Sequence, residues 1–516
     1  MARLIDSPDH SFRVHPADEL GLVVDAEDYF RAFYQTALAA DRYLLLSGWQ
    51  FDSDVELLRG DDAARATHPV ALLAFLNKLC EEKPDLQIWI LAWDFHLVFA
   101  AEREWMQKVV FHWTTNERLR FRFDDNHVER GCHHQKFVVA DGEVSFVGGL
   151  DLCDDRWDDR QHRQHNDLRV SRGEPHKPFH DVQAWVRGRL FAESMGQLFQ
   201  ERWVRAGGDP IVLPPRTEPR ALLPRPPALL PLAARDAGLS RTDPHGTPGG
   251  PQPCEEIAKL HLAAIAGARA LVYAETQYFS AAVIGEALTR RMRQQGAPRL
   301  EIVLVLNMRG ETLKEQAAVG LAQAKLIGEL RAIAAETGHA LGIYYTLPAC
   351  DDGEQPERAT YIHSKLMIVD DRLLTVGSAN LTNRSMGVDT ELNLTVEVDA
   401  DEDSEGALAH SIRAVRGALL AEHTGGDPRT ETRGLVAALE EIARAGEAGT
   451  PGVACRLRRH PSPTTGERMA LALVDPQKLP FDPGHVEDFD EDVKVDFLHG
   501  VGRVVRELLS SRKELG

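Results

Sequence analysis

Two copies of one short pattern place histidine, lysine and aspartate at the same spacing in distant parts of the chain. The pattern is His-x-Lys-x4-Asp, and its members are His134, Lys136 and Asp141 in the first copy and His363, Lys365 and Asp370 in the second. An imidazole can attack as a nucleophile or exchange a proton near neutral pH, and an ammonium group can neutralise an anion. One such pair could be surface decoration, but two copies at identical spacing predict a site.

Small residues follow both copies at matching positions. The tails are Gly148, Gly149 and Asp151 in the first copy and Gly377, Ser378 and Asn380 in the second. Residues i and i+2 of a strand face the same side, so each histidine points with its lysine. Small side chains let a ligand approach the backbone. If two such faces meet, they would enclose an anionic tetrahedral group, and a phosphodiester has that shape and charge.

The elements that must position these residues also repeat. Residues 27–40 and 255–268 have helical apolar spacing, and residues 42–49 and 270–279 follow them as buried strands. Residues 72–82 and 86–94 form the next helix and strand of the first half, with counterparts at 284–295 and 300–308. The sequence therefore predicts an α/β fold of two similar halves, each with a mixed, largely parallel sheet, packed face to face as a pseudo-dimer.

Composition shifts divide the chain into four parts. Proline is dense over residues 210–254, and because proline resists helix and sheet we interpret this stretch as a linker or an irregular covering arm. The predicted parts are a first half (1–209), the Pro-rich linker (210–254), a second half (255–425) and a small helical C-terminal extension (426–516). Within each half, Asp141-Gly142 and residues 370–372 predict the turn of a hairpin.

The overall composition limits the classes of function. The 516 residues are 43% apolar and 27% charged, with a net charge of −20, and no apolar run is long enough to span a membrane. An acidic chain is repelled by nucleic-acid backbones unless a local basic cleft overrides the average. The six cysteines lack a CxxC pair, and the first residues do not resemble a secretory signal. We expect a cytoplasmic protein.

The paired motif resembles the signature of the phospholipase D superfamily, H-x-K-x4-D-x6-G-[SG]-x-[ND]. Residues 133–159 (HHQKFVVADGEVSFVGGLDLCDDRWDD) are most similar to the phospholipase D enzymes of eukaryotes and their bacterial relatives. Residues 274–279, 377–394 and 177–203 resemble further segments of those enzymes. The resemblance covers roughly residues 20–425.

The resemblance implies a two-step displacement through a phosphohistidine. It assigns His134 as the nucleophile and His363 as the acid, although the two are nearly symmetric in this sequence. It implies phosphate binding by Lys136, Lys365, Asn380 and Ser378, with no metal and no cofactor. The signature aspartates Asp141 and Asp370 count among its catalytic residues, but their place at a turn favours bracing. Asp151 would anchor backbone, since a carboxylate beside a phosphate is unfavourable.

Each imidazole needs a partner that fixes its tautomer. The resemblance assigns Asp181 to His134 and Glu391 to His363, with Asp167 as a rival for the first role and a helix cap or surface charge as the alternative for Asp181. His162, His165 and Asp167 could bind a metal, but a polar loop is favoured. Trp49, Trp93 and Tyr278 could line a lipid pocket or belong to the core.

Four functions compete. The first is hydrolysis or head-group exchange on glycerophospholipids by a monomer. This substrate class implies transient contact with a membrane surface, and no nucleic-acid partner is expected. The others are a nuclease of the same superfamily, a cardiolipin-synthase-like phosphatidyltransferase and a non-catalytic phosphate-binding scaffold. The intact motifs disfavour the scaffold, and the net charge disfavours the nuclease.

Overall fold

The chain folds into two similar α/β halves, each built on one large mixed sheet. The computed structural model describes residues 2–94, 115–128, 131–215, 221–246, 253–310, 319–350, 356–399, 406–426, 428–448, 456–465, 467–468, 471 and 482. The predicted α/β class and its two halves are confirmed.

The strands are β1 (Arg13–Pro16), β2 (Glu19–Val24), β3 (Tyr43–Gly48), β4 (Gln87–Trp93), β5 (Leu119–Asp124), β6 (Phe137–Ala140), β7 (Val144–Gly148), β8 (Val170–Ser171), β9 (Glu174–Pro175), β10 (Phe179–His180), β11 (Val182–Arg187), β12 (Leu230–Leu232), β13 (Asp236–Asp243), β14 (Cys254–Glu255), β15 (Leu271–Thr276), β16 (Glu301–Leu306), β17 (Ala340–Thr346), β18 (Tyr361–Ile362), β19 (Lys365–Val369), β20 (Leu373–Gly377), β21 (Glu391–Glu397) and β22 (Leu457–Arg459). The helices are a 3-10 turn (Leu4–Asp6), α1 (Asp25–Ala39), α2 (Gly60–Arg65), α3 (Leu72–Glu82), α4 (Arg189–Arg205), α5 (Glu256–Gly267), α6 (Ala282–Arg293), α7 (Leu321–Thr337), α8 (Asn383–Gly387), α9 (Ala407–Thr424) and α10 (Leu435–Glu447).

The two large sheets share one order over seven strands, in which β2-β11-β7-β6-β3-β4-β5 of the first correspond to β13-β21-β20-β19-β15-β16-β17 of the second. The first sheet has the order β12-β2-β11-β7-β6-β3-β4-β5, and the second has the order β1-β13-β21-β20-β19-β15-β16-β17-β22 with β14 beside β13. The two sheets meet where β7 and β11 contact β20 and β21. One core cluster contains Val147 and Val186 of the first sheet together with Val376 and Leu394 of the second. The halves therefore share a continuous apolar interface.

Parallel pairing is less extensive than the sequence predicts. Within the described part of each sheet it is confined to β3-β4-β5 and to β15-β16-β17. Strands β6, β7, β11 and β2 pair antiparallel, as do their counterparts β19, β20, β21 and β13. The prediction of a largely parallel sheet is wrong in this detail. The turns at 141–143 and 370–372 can join only antiparallel neighbours, and the strands beside these hairpins also run antiparallel to them.

The Pro-rich stretch contributes strands to both sheets, which corrects its interpretation as a linker without sheet. β12 pairs with β2 of the first sheet, whereas β13 lies between β1 and β21 in the second. Residues 236–243 contain no proline, and Pro231 lies on an edge strand, where a missing N–H is tolerated. Since β1 precedes β2 but pairs with β13, the halves exchange their edge strands.

The C-terminal extension packs on the second half where it is described. α10 contacts β16 and β17, and β22 pairs with β17. The part of the predicted helical extension beyond residue 482 lies outside the described residues. Among the helices that the structure describes, none is long and apolar enough to cross a bilayer.

Candidate functional site

Both motifs lie at the interface between the halves, where two backbone bridges hold their histidines. The His363 N–H donates to the His180 carbonyl at 2.8 Å, within the parallel pairing of β10 with β18. The His134 N–H donates to the Thr390 carbonyl at 2.9 Å, beside a parallel bridge between His133 and Thr390. Each histidine is thus fixed against backbone of the opposite half.

The carboxylates cross between the halves. His134 Nδ1 lies 2.9 and 3.1 Å from the two carboxylate oxygens of Glu391, and His363 Nδ1 lies 2.5 Å from Asp181 Oδ2. The assignment of Asp181 to His134 and of Glu391 to His363 is wrong. The backbone bridges are the reason, because Glu391 follows Thr390 and Asp181 follows His180. Each Nδ1–H donates to its carboxylate, which leaves Nε2 available.

Asp181 is neither a surface charge nor a helix cap, and Asp167 does not take its place. Asp181 and Glu391 are fully buried, so Asp181 is not a surface charge, and it lies just before strand β11 rather than at a helix start. The rival Asp167 is exposed. The sequence therefore indicates both carboxylates, Asp181 and Glu391, but not which histidine each one contacts.

Ser378 supports Glu391, and the expectation that it binds phosphate is wrong. Its hydroxyl donates to Glu391 Oε2 at 2.5 Å, and that of Ser385 donates to Oε1 at 2.7 Å. At the equivalent place in the first half, a Cβ on Gly149 would lie 2.4 Å from Asp181 Oδ1. The Ser378 side chain therefore holds the Glu391 carboxylate, whereas the absence of a side chain at Gly149 leaves room for the Asp181 carboxylate.

The two lysines are buried and contact different partners. Lys136 Nζ lies 3.3 Å from Asp151 Oδ2, while Lys365 Nζ donates to Gln277 Oε1 at 3.1 Å. Asp151 Oδ1 also accepts the Trp49 N–H at 2.8 Å, so its predicted role in anchoring backbone is confirmed. Asn380 Nδ2 donates weakly to Gln277 Oε1 at 3.4 Å. Gln277 is a site residue that the sequence reasoning missed.

Burial and the positive charges of the two lysines disfavour the protonated form of both histidine rings. Burial lowers the pKa of both His134 and His363 well below the usual range, and the charges of Lys136 and Lys365 lower each pKa further. Because each lysine acts on both rings, the four groups share one volume. Burial also lowers the pKa of Lys365 to about 7.

The two carboxyl groups respond to burial in the opposite direction. Desolvation raises the pKa of Asp181 to about 6 and that of Glu391 to about 8. Both rings are therefore neutral before an anion enters, and a phosphodiester that enters would offset the lysine charges and favour protonation of one ring.

A further cation, Arg156, borders the site. Its charge helps to lower the pKa of His363, and its guanidinium lies 5.2 Å from the centre of the Phe179 ring. The buried Nε has no hydrogen-bond partner among the described residues. Arg156 follows the first motif without a distinctive spacing, and only the fold brings it to His363.

The motif aspartates bind backbone at the hairpin turns. Asp141 accepts the N–H groups of residues 41–43 at 2.7–2.9 Å, and Asp370 accepts those of residues 269–271 at 2.7–2.8 Å. Both have positive φ, 52° and 57°, as the turn requires. They fix the starts of β3 and β15, so their place among the catalytic residues is corrected in favour of bracing.

The predicted aromatic border is present in part. Trp49 and Trp93 pack with ring centres 5.8 Å apart, and Trp93 is 5% exposed, as in a core. Trp49 and Tyr278 are half-buried and remain available to border a pocket.

Comparisons with known proteins agree with the paired motif. Residues 262–406 match a family described as "Cardiolipin synthase, PLD-like domain". Phospholipase D alpha 1 of Oryza sativa subsp. japonica is 25% identical over 70% of this chain and 58% of its own length. Phospholipase D alpha 1 of Nicotiana tabacum is 27% identical over 77% of this chain and 63% of its own length. The match thus spans about three fifths of these relatives.

A solved structure extends the similarity to the fold. The phosphatidylserine synthase of Haemophilus influenzae Rd KW20 superposes with a TM-score of 0.51 at 12% identity, over 85% of this chain and 95% of that one. The predicted resemblance to the phospholipase D superfamily is confirmed.

Proposed function

We propose that this chain is a phosphodiesterase of phospholipase D type that hydrolyses or exchanges the head group of glycerophospholipids. The single observation that carries the proposal is the pair of histidines, each hydrogen-bonded through Nδ1 to a buried carboxylate from the opposite half, beside two buried lysines. Two oriented imidazoles with free Nε2 atoms suit a double displacement, and the lysines suit the charge at phosphorus.

The first step forms a phosphohistidine. His134 Nε2 attacks phosphorus while Glu391 accepts its Nδ1–H and stabilises the positive ring that forms. The bond from phosphorus to the head-group oxygen breaks, and that oxygen takes the proton from His363 Nε2, whose ring Asp181 orients. Lys136, Lys365, Asn380 and Arg156 hold the non-bridging oxygens.

The second step releases the phosphatidyl group. Neutral His363 removes a proton from water or an alcohol, whose oxygen then attacks phosphorus as the bond to His134 Nε2 breaks. Water gives phosphatidic acid, and an alcohol gives an exchanged phospholipid. The lysine field performs the charge neutralisation in this scheme, so no step requires a metal or a cofactor.

Vesicles of phosphatidylcholine with and without 1% ethanol test the proposal. We expect release of choline in both, and phosphatidylethanol only with ethanol. His134→Asn and His363→Asn are expected to reduce choline release by about 10²–10⁴-fold, because each removes one group from the proton-transfer chemistry. The exposed His165→Asn serves as the matched control. Full activity in both motif variants would reject the mechanism.

A phosphatidyltransferase is the second candidate, favoured by the family description of the match at 262–406. The same vesicles with phosphatidylglycerol as the acceptor distinguish it, since a diphosphatidyl product would exceed phosphatidic acid. A superfamily nuclease would instead cleave an oligonucleotide in the same buffer, and the net charge of −20 argues against that result.

A further inference from the structure

A second polar cluster lies behind His363, in the interior of the protein. It consists of Asp25 at the start of α1, His162 in the loop after the first motif, His180 of β10 and Glu422 near the end of α9. All four side chains are buried, with at most 6% of any residue exposed. One ligand-type atom from each lies within 4.8 Å of every other. The four come from distant parts of the sequence, which never suggested them as a set.

Each histidine of the cluster also contacts a carboxylate outside it through its other ring nitrogen. His162 Nδ1 lies 2.8 Å from Asp158 Oδ2, and His180 Nε2 lies 3.0 Å from Glu275 Oε2. These outer carboxylates accept the ring N–H groups and direct the remaining nitrogens inward. A metal-bound histidine has the same arrangement, with its distal N–H donated to a carboxylate.

The inner atoms satisfy one another only in part: His162 Nε2 and Glu422 Oε1 form a hydrogen bond at 3.1 Å, but two other atoms do not. His180 Nδ1 lies 2.6 Å from Glu422 Oε1 and 3.1 Å from Asp25 Oδ1, yet it has no hydrogen bond of acceptable geometry among the described residues. Asp25 Oδ2, 3.4 Å from His162 Nε2, is likewise buried without a hydrogen-bond partner. Buried polar atoms are almost always paired, so two such atoms aimed into one cluster indicate a missing ligand.

We propose that Asp25, His162, His180 and Glu422 bind one divalent transition-metal ion, with Zn²⁺ as the best fit. Zinc binds imidazole nitrogen and carboxylate oxygen at about 2.0–2.2 Å in a tetrahedron, which places neighbouring ligand atoms about 3.3 Å apart. The four imidazole–carboxylate separations, which involve both oxygens of Asp25, are 2.6–3.4 Å, and one ligand atom from each residue lies within 4.8 Å of every other. Two carboxylates also balance the charge of the ion, while the second oxygen of Glu422 contacts Arg160 Nε at 2.6 Å.

The ion would position the catalytic machinery rather than take part in it. Four protein ligands fill a tetrahedral zinc site, which is the arrangement of structural sites. His180 immediately precedes Asp181, and Asp25 and Asp181 exchange two contacts: the Asp25 N–H donates to the Asp181 carbonyl at 2.8 Å, and the Asp181 N–H donates to Asp25 Oδ1 at 3.1 Å. The site therefore holds the carboxylate that orients His363.

The interpretation of residues 162–167 as a polar loop holds for two of the three candidate metal ligands and not for the third. His165 and Asp167 are exposed, as that interpretation expects, whereas His162 turns inward to the cluster. Only the fold separates these neighbours.

Metal content of the full chain tests the inference without any activity assay. We expect about one zinc per chain by mass spectrometry of protein purified without chelator, and about 0.1 or less in His162→Ala and Glu422→Gln. The control His165→Ala should retain one. Less than about 0.1 metal per chain in the wild-type protein, even after incubation with Zn²⁺, Mn²⁺ or Fe²⁺, would overturn the proposal.

Two further readouts do not depend on how well the variants fold. Cobalt exchanged into the wild-type chain should give the intense visible absorption of a tetrahedral site, and chelation should lower the melting temperature until Zn²⁺ is restored. Absence of cobalt absorption together with a melting temperature indifferent to chelator would show that protonated histidines alone hold the cluster, which contradicts the inference.

Discussion

At the scale of single residues, the crossed carboxylates separate the two histidines by role. Of the two histidines, the proposed nucleophile His134 contacts Glu391 and the proposed acid His363 contacts Asp181. A leaving group that needs no proton bypasses the acid but not the nucleophile. Substrates that differ in leaving group can therefore detect which carboxylate serves which ring.

We expect the crossed pairs to respond differently to a p-nitrophenyl phosphodiester. His363→Asn and Asp181→Asn should give a burst of about one equivalent of p-nitrophenol and then stall, because the phosphohistidine forms but is not hydrolysed. His134→Asn and Glu391→Gln should give no burst, because the attack itself is impaired. Rapid-quench kinetics measure both. If Asp181→Asn behaved like His134→Asn, the crossed assignment would fail.

The buried titratable groups also predict a narrow optimum of pH. Burial raises the pKa of Asp181 to about 6, so below that pH the carboxyl protonates and stops orienting His363. Burial lowers the pKa of Lys365 to about 7, so above that pH the charge that holds the phosphate is lost. Burial raises the pKa of Glu391 to about 8, so the same loss of orientation affects His134 up to that pH. The kcat/KM of the free enzyme should therefore peak between about 7 and 8, where the ionised carboxylates and the charged lysine overlap, and fall on both sides.

Lys365→Arg tests the basic limb of that profile. Arginine stays charged to high pH, so kcat/KM should fall overall but lose its decline above about pH 7. The exposed Lys78→Arg is the control and should keep the wild-type profile. A basic limb that does not move in Lys365→Arg would assign it to another group.

At the scale of elements, each motif is a hairpin whose turn is tied to the start of a neighbouring strand. The aspartate at +7 accepts three consecutive backbone N–H groups in both halves. The signature therefore combines chemistry at its first residues with architecture at its last.

Asp370→Ala should consequently reduce stability more than chemistry. Loss of three charge-assisted hydrogen bonds at the start of β15 is expected to lower the free energy of unfolding by about 2–4 kcal/mol, as measured by urea denaturation. The kcat of the folded fraction should stay within about threefold. Asp61→Ala, at a side chain that is 94% exposed, should change stability by less than about 0.5 kcal/mol. A large fall in kcat without destabilisation would contradict this role.

At the scale of the whole molecule, the halves depend on each other for both stability and the site. They exchange edge strands β1 and β12, share an apolar core and supply each other's carboxylates. A half-chain would leave one histidine without its partner and a sheet face exposed to water.

We therefore expect that residues 1–225 and 226–516 have no measurable activity when expressed separately. Co-expression of the two fragments should restore activity, with both recovered in one complex by size-exclusion chromatography. Hydrolysis by either fragment alone would show that self-association can replace the other half, and would reject the need for both.

Features that depend on local spacing could be predicted from the amino-acid sequence. The helix at 25–39, the strand at 43–48, their counterparts in the second half and the hairpin turns at 141–143 and 370–372 follow from apolar periodicity and turn residues within a few positions. The two His/Lys pairs and the identities of Asp181 and Glu391 were also readable, because the motif and its resemblance are linear patterns.

Which side chains come into contact could be seen only in the folded chain. The exchange of Asp181 and Glu391 between the histidines, the inward turn of Ser378, the approach of Arg156 and Gln277, and the cluster behind His363 all depend on contacts between segments far apart in sequence. The strand at 236–243 joined a sheet because open edges at β1 and β21 offered it backbone partners. Periodicity specifies which face of an element is apolar, but partner choice between two similar halves depends on their packing, which no local pattern encodes.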